Sequence, residues 1–249
     1  MVDRLCTTHA KYYDTYYSQK KYGDEVVCMV EQIRKQQGRV LIVGCGTGEH
    51  ARHFRQRGWE VVGCDASTQM LDIAEAKCDA EFRHRKLPNI DVEGTFDLIT
   101  FPGGVINYLT VPELHQTLDN AISYLRPDGT VIFDHPLPFL RSVRPPIQPW
   151  IETYDDEDGM YARVVQLKYV QDNYVWNAAY FVQQDTFEFF VESHPFFVYT
   201  EPELEAITER VNLQIVDSQN YSTDQNLPFY VVKRNEDLGS PVEWTPNEW

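Results

Sequence analysis

The sequence predicts an α/β fold on a seven-stranded sheet, and three observations carry that reading. Short continuous apolar runs recur through the first half of the chain, with helical patterns between them. A glycine-rich turn, Gly44-Cys45-Gly46-Thr47-Gly48, closes the first of these runs. From Met160 to Tyr199 the apolar residues alternate with polar ones instead, which marks an antiparallel β insertion ahead of the last helix.

The elements follow in order. Val40–Val43 is a short apolar run, as expected of a strand buried on both faces. Glu60–Asp65, Phe96–Phe101 and Thr130–His135 repeat the pattern, and Ala80–His84 is a weaker strand. Between them, Glu49–Arg57 reads as a helix closed by Gly58, Ser67 caps a helix to about Ala76, and Pro112 opens one running to Leu125. "RPDGT" then turns the chain into the next strand. Strands alternating with helices imply a parallel sheet with helices on both faces. The alternating region reads as a three-stranded meander, joined to the sheet by the proline-rich "HPLPFLRSVRPPIQPW". Thr200 and Glu203 form a capping box for a final helix, and Leu213–Tyr221 and Phe229–Lys233 supply the last two strands. The tail from Asn235 is polar and reads as loose.

Composition bounds the function. The chain has 249 residues, 43% of them hydrophobic, enough for one large domain with an insertion. Its formal charge of −16 repels phosphate backbones, so nucleic acid is not the expected partner. No apolar run is long enough to span a bilayer, and the N-terminus lacks the apolar core of a signal peptide; a cytoplasmic location is expected. Five cysteines, Cys6, Cys28, Cys45, Cys64 and Cys78, without a C-x-x-C pair argue against a disulfide framework or a zinc knuckle.

The glycine turn is G-x-G-x-G, one residue shorter than the dinucleotide fingerprint. Asp65 ends the next strand, placed to accept the two hydroxyls of a ribose. Glu49 opens the following helix, where a carboxylate would repel a pyrophosphate but not a cationic or zwitterionic nucleoside. "VLIVGCGTGEHARHFRQRGWEVVGCDASTQMLDIA" resembles the signature of class I S-adenosylmethionine-dependent methyltransferases. The resemblance implies a Rossmann-like sheet. It also implies that Gly44, Cys45 and Gly46 meet the cofactor by backbone, that Asp65 takes the ribose, and that Ala66 and Met70 flank the adenine. Phe101, at the end of the fourth strand, and Tyr16 are further cofactor candidates. After the third strand the family often carries an acid for the adenine amino group, whereas this chain has "FRHRKLPNI".

The β insertion is similar to that of small-molecule N-methyltransferases acting on amino sugars, glycine or sarcosine, or peptide N-termini. The expected reaction is therefore methyl transfer to a nitrogen of a small molecule, an amine by preference. A small-molecule O-methyltransferase and a non-catalytic cofactor-binding module are the alternatives. "FPGGVINY" after the fourth strand lacks the N/D-P-P-Y motif of base and amide methylases, and Asp134 alone is too little to hold a metal. Asn107 and Tyr108 are substrate candidates; His135 and His194 are candidate bases, with Tyr12 as the alternative catalytic group that takes the proton. Tyr12, Tyr13, Tyr16 and Tyr17 form two i,i+4 pairs, read either as rings packing on the sheet or as an aromatic lid over a cation. Tyr12 and Tyr16 are preferred for the lid because they match the family's spacing. His50 and His53 read as part of a solvated basic helix face. The domain reading is a core over 1–135 and 199–234, with residues 1–37 as a helical lid, an insertion over 136–198 and a tail over 235–249. A homodimer is compatible with all of this.

Overall fold

The computed structural model describes residues 10–33, 35–135, 148–156, 159–170, 173–220 and 228–238. Cys6, most of the proline-rich linker and the tail beyond residue 238 lie outside the described residues. The first sheet has seven strands: β1 Arg39–Val43, β2 Glu60–Asp65, β3 Glu81–His84, β4 Phe96–Phe101, β5 Leu125–Asp134, β10 Leu213–Asn220 and β11 Pro228–Arg234. Their order is β10-β11-β5-β4-β1-β2-β3. β1 to β5 are parallel, and β11 runs antiparallel against β5. The strand order reverses between β1 and β4, which opens a crevice at their carboxyl ends where this class of sheet binds ligands.

The central strands are apolar because both faces are covered. Val40, Leu41, Ile42 and Val43 are all fully buried, as are Phe96, Leu98, Ile99 and Phe101. Helices α2 (Tyr22–Ile33), α3 (Glu49–Gln56), α4 (Thr68–Lys77), α5 (Val111–Ser123) and α6 (Glu201–Glu209) flank the sheet, after a short α1 (Tyr13–Tyr16). Ser67 caps α4 by accepting from Met70 N at 3.3 Å, and Thr200 with Glu203 boxes the start of α6. A second capping box, Thr110 with Glu113, starts α5. Such a cap contributes about 1 kcal/mol.

The second sheet is antiparallel in the order β6-β7-β8-β9. Its strands are β6 Trp150–Asp156, β7 Gly159–Val170, β8 Asn173–Gln183 and β9 Phe187–Phe196. The expected meander thus has a fourth strand, β6, where the sequence reads as the end of a linker. Its inward residues are Trp150, Glu152 and Tyr154, while Ile151 points out to solvent. "RPDGT" also departs from expectation: it lies within β5, where the register against β4 shifts between Phe96 and Leu98. Among the described residues no helix is long and apolar enough to cross a membrane.

Candidate functional site

A cavity of about 550 Å³ lies between the two sheets. Gly44, Gly46, Asp65, Ala66 and Met70 line its first end, together with Arg85, Lys86 and Leu87 after β3 and Pro102, Gly103 and Gly104 after β4. The far end is lined by Trp150, Glu152, Arg163, Trp176, Tyr180, Glu192 and His194 of the second sheet. Tyr13, Tyr17 and Lys20 of the N-terminal segment close it.

The first end is shaped by main chain. The amides of Gly44 and Cys45 donate to the Cys64 carbonyl at 2.7 and 3.0 Å, which folds the turn over β2. Gly46 has φ +53°, and a Cβ built there would meet no atom within 4 Å: it would project into open space. Asp65 Oδ2 accepts from Gly46 N and Oδ1 from Ser67 N, both at 2.9 Å. Burial pushes the Asp65 carboxyl above the usual range, and these backbone donors oppose the shift. Across the crevice, the Asp134 carboxylate at the end of β5 accepts from Gly103 N at 2.7 Å and Gly104 N at 2.6 Å. Asp134 is therefore a tether for the β4 turn, and it is buried and off the cavity wall.

The N-terminal segment is tied down by ions. Asp14 accepts from Thr47 Oγ1 and from Lys77 Nζ, each at 2.6 Å, and Lys77 also pairs with Glu49 at 2.9 Å. On the other side Arg163 donates to Glu152 through Nε at 2.8 Å and to Tyr17 Oη at 3.2 Å, its guanidinium 5.2 Å from the Tyr17 ring. These ties hold α1 across the cavity from the α4 end to the second sheet.

Several expected residues sit elsewhere. Tyr12 and Tyr16 do not line the cavity. Tyr12 donates to Glu188 at 2.7 Å, and Tyr16 packs edge-on against Tyr180 with ring centroids 5.1 Å apart. The other i,i+4 pair, Tyr13 and Tyr17, faces inward with rings 4.5 Å apart. His135 is fully buried, its Nδ1 2.8 Å from the Asn107 amide and its Nε2 2.9 Å from the Tyr199 carbonyl. Asn107 is equally buried and also donates to the Phe197 carbonyl at 2.5 Å. Both are corrected to buried groups that join the β4 and β5 ends to the segment before α6. Phe101 is corrected to a core residue. The Cys45 thiol likewise packs in the core beneath the turn, and burial raises it well above the ordinary thiol range. His50 is not solvated: it is buried 2.6 Å from Glu25, which also pairs with Lys20 at 3.4 Å. Glu49 lies off the cavity wall, held by Lys77 and Arg52, so its charge does not face the ligand space.

His194 and Tyr108 do line the cavity, their rings 5.0 Å apart, and Trp176 stacks on His194 at 6.4 Å. Burial depresses the His194 imidazole to about 4, and its Nε2 has no hydrogen-bond partner among the described residues. Reading the residues in order missed Lys20, Glu152, Arg163 and Glu192. One signal for Glu192 was present, since it stands two residues before His194 and so shares its face of β9.

Residues 40–129 match a family model described as a methyltransferase domain. A putative methyltransferase of Geobacillus sp. (strain WCH70) is 35% identical over 136 residues, 50% of this chain and 55% of the relative. The dTDP-3-amino-3,6-dideoxy-alpha-D-glucopyranose N,N-dimethyltransferase of Streptomyces fradiae is 28% identical over 120 residues, 46% of this chain and 47% of the relative. The chain spans about half the length of the curated relatives it matches. Among solved structures, Streptomyces venezuelae DesVI superposes with a TM-score of 0.80 at 20% identity, covering 91% of this chain and 98% of that one. The amino pentose methyltransferase CalS10 of Micromonospora echinaspora, solved with its methyl donor, gives 0.75 at 21% identity, covering 89% and 96%. Over about nine-tenths of its length the chain shares the fold of these two structures, and its residues 40–129 match the methyltransferase-domain model.

Proposed function

We propose that the protein is a cytoplasmic S-adenosylmethionine-dependent methyltransferase that methylates a nitrogen of a small molecule. The observation that carries this reading is the single cavity that has the glycine turn and Asp65 at one end and Glu192 and His194 at the other. The donor's fit is supported by the open space above Gly46, which a Cβ would fill. Asp65 would hold the ribose, since each carboxylate oxygen keeps a lone pair beyond the one facing an amide. Ala66, Met70 and Leu87 would bound the adenine, and Lys20 offers the methionyl carboxylate an opposite charge. When bound, the cofactor supplies an electrophilic methyl group.

The chain's own task is alignment. Bringing nucleophile and methyl into line replaces an encounter in solution, and the leaving thioether needs no acid. Trp176, Tyr108 and Tyr17 present aromatic faces that suit a cation. Relatives named for N-methylation of amino sugars support nitrogen as the acceptor atom. His194 is better cast as an acceptor for an acceptor's N–H than as a strong base, given how far burial depresses it. A second copy of the chain is the further partner proposed. Ile151, Phe187 and Val191 are 68%, 61% and 67% exposed on the outer face of the second sheet, which is more apolar than a solvated surface requires. A monomer mass by light scattering overturns that part.

Thermal unfolding with S-adenosylhomocysteine tests the main reading. Ligand at a hundred times its Kd is expected to add about 2.7 kcal/mol, and NAD to add nothing. Asp65→Ala is expected to weaken the cofactor by roughly ten- to a hundredfold, as loss of charged hydrogen bonds does. A shift with NAD and none with S-adenosylhomocysteine rejects the proposal.

A further inference from the structure

The far end of the cavity carries rings that have no task in holding the cofactor. Trp150 of β6, Trp176 of β8, Phe196 of β9 and Tyr108, in the 3-10 turn after β4, form an unbroken strip along it. Successive ring centroids lie 5.8, 6.0 and 6.2 Å apart, within the range of aromatic contact. All four side chains are half-buried and all line the cavity, so part of each ring stands open to it. His194 packs on both Trp176 and Tyr108, with centroids at 6.4 and 5.0 Å. The middle of the strip is thus set before any ligand arrives, which lowers the cost of binding there.

The polar groups at the outer end of the strip are spent on one another. Glu152 accepts from Trp150 Nε1 at 2.8 Å, from Tyr154 Oη at 3.1 Å and from both Nε and Nη2 of Arg163. That fills the roughly four lone-pair positions of a carboxylate. Arg163 is the only lysine or arginine on this wall among the described residues, and it also donates to Tyr17 Oη at 3.2 Å. A diphosphate therefore meets no uncompensated cation on this wall, and the chain's charge of −16 opposes its approach. A hydroxylated sugar laid on the strip would turn hydroxyls toward ring faces and lose their bonds to water. A flat apolar ring forfeits no hydrogen bond there and gains stacking on partners already in place.

We propose that the acceptor is an amine borne on a flat aromatic ring, the ring lying along the strip of Trp150, Trp176, Phe196 and Tyr108 with its nitrogen end toward the glycine side of the cavity. This rests on the methyltransferase reading and specifies the body of the acceptor. The strip makes the choice between acceptors; the methyl transfer itself is that of the proposed reaction.

The probes are 2-phenylethylamine and tryptamine, with glucosamine as an amine on a hydroxylated ring and dTDP as a diphosphate. Each is titrated calorimetrically into protein saturated with S-adenosylhomocysteine. The tighter of the two aromatic amines is expected to bind at least about tenfold more tightly than glucosamine, and dTDP not to bind. Trp176→Leu, which keeps an apolar side chain but removes the ring, is expected to bring that preference to within about threefold. Unchanged affinity of the variant for S-adenosylhomocysteine would report an intact fold. If that affinity is lost, Phe196→Leu is read in its place, with the same expectation. Phe189→Leu, 55% exposed on the outer face of the same sheet, is expected to behave as the parent. Glucosamine or dTDP binding as tightly as the aromatic amines, no binding of either aromatic amine, or a folded strip variant that keeps the parent's preference each overturn the proposal. Failure of S-adenosylhomocysteine itself to bind overturns the methyltransferase reading beneath it.

Discussion

On the side of the first sheet four glycines, Gly44, Gly46, Gly103 and Gly104, bring bare main chain to the cavity wall, between side chains such as Asp65, Met70 and Leu87. On the side of the second sheet it is lined by side chains that reach in from four strands, Glu152, Arg163, Trp176, Glu192 and His194 among them. The first wall is made within short stretches of sequence, by a turn between strand and helix. The second exists only once the strands are paired, because its members come from β6, β7, β8 and β9 and meet through register. A backbone wall suits one invariant ligand; a side-chain wall can be refitted to different acceptors without disturbing the turn. The difference teaches where specificity resides.

The largest test of the backbone wall is Gly46→Val. The Cβ projects into open space, so the fold loses little beyond the strain of φ +53°, of the order of 1–2 kcal/mol. Cofactor affinity is expected to fall more than about a thousandfold, near 4 kcal/mol, by calorimetric titration. A variant that binds as the parent does would move the cofactor off this wall.

The side-chain wall is tested next, by acid. An unfolded histidine takes a proton below about pH 6.5, but buried His194 refuses one until about pH 4. The stability it contributes is therefore present above pH 6.5 and is lost as pH falls through that window, by up to about 3 kcal/mol. Denaturant unfolding across the window, in the parent and in His194→Phe, is expected to show that share of the acid sensitivity in the parent only. Equal slopes would mean that His194 is solvated.

The smallest effect concerns the tie between the N-terminal segment and the first wall. Asp14→Asn weakens the pair with Lys77, whose partner oxygen belongs to a half-exposed side chain. Such a pair is worth about 0.2–1 kcal/mol. Cofactor affinity is expected to fall about two- to fivefold, and the difference to shrink at high salt. A loss as large as that at Gly46 would mean that the segment, not the turn, forms the binding surface.

The same contrast explains what was legible in the sequence. The strands β1, β2 and β4, the glycine turn, Asp65 and the caps at Ser67 and Thr200 are each set by residues within a few positions of one another. β6 was missed because its sequence, WIETYDD, carries three acidic residues and lacks the apolar alternation of its pairing partner Gly159–Val165. The tyrosines were paired correctly, but which pair faces inward depends on how the four-residue α1 is rotated against the second sheet. The partners that set that angle lie far away in sequence: Thr47 and Lys77, which hold Asp14, and Arg163, which holds Tyr17. His135 looked catalytic because it ends β5 at the ligand edge, yet Asn107 and Tyr199 enclose it from segments far away in sequence.

The alternation along β9 has a further consequence. Glu188, Phe190, Glu192 and His194 point in, while Phe187, Phe189 and Val191 point out, and a three-residue turn, 184–186, joins Gln183 to Phe187. The strand therefore has a reading frame. Adding or deleting one residue in that turn would exchange every inward residue for its neighbour. The cavity would receive Val191 and Ser193, and the carboxylate and imidazole would be carried to the outside. A single-residue indel there, far from the glycine turn, would erase the acceptor wall while leaving β9's composition unchanged.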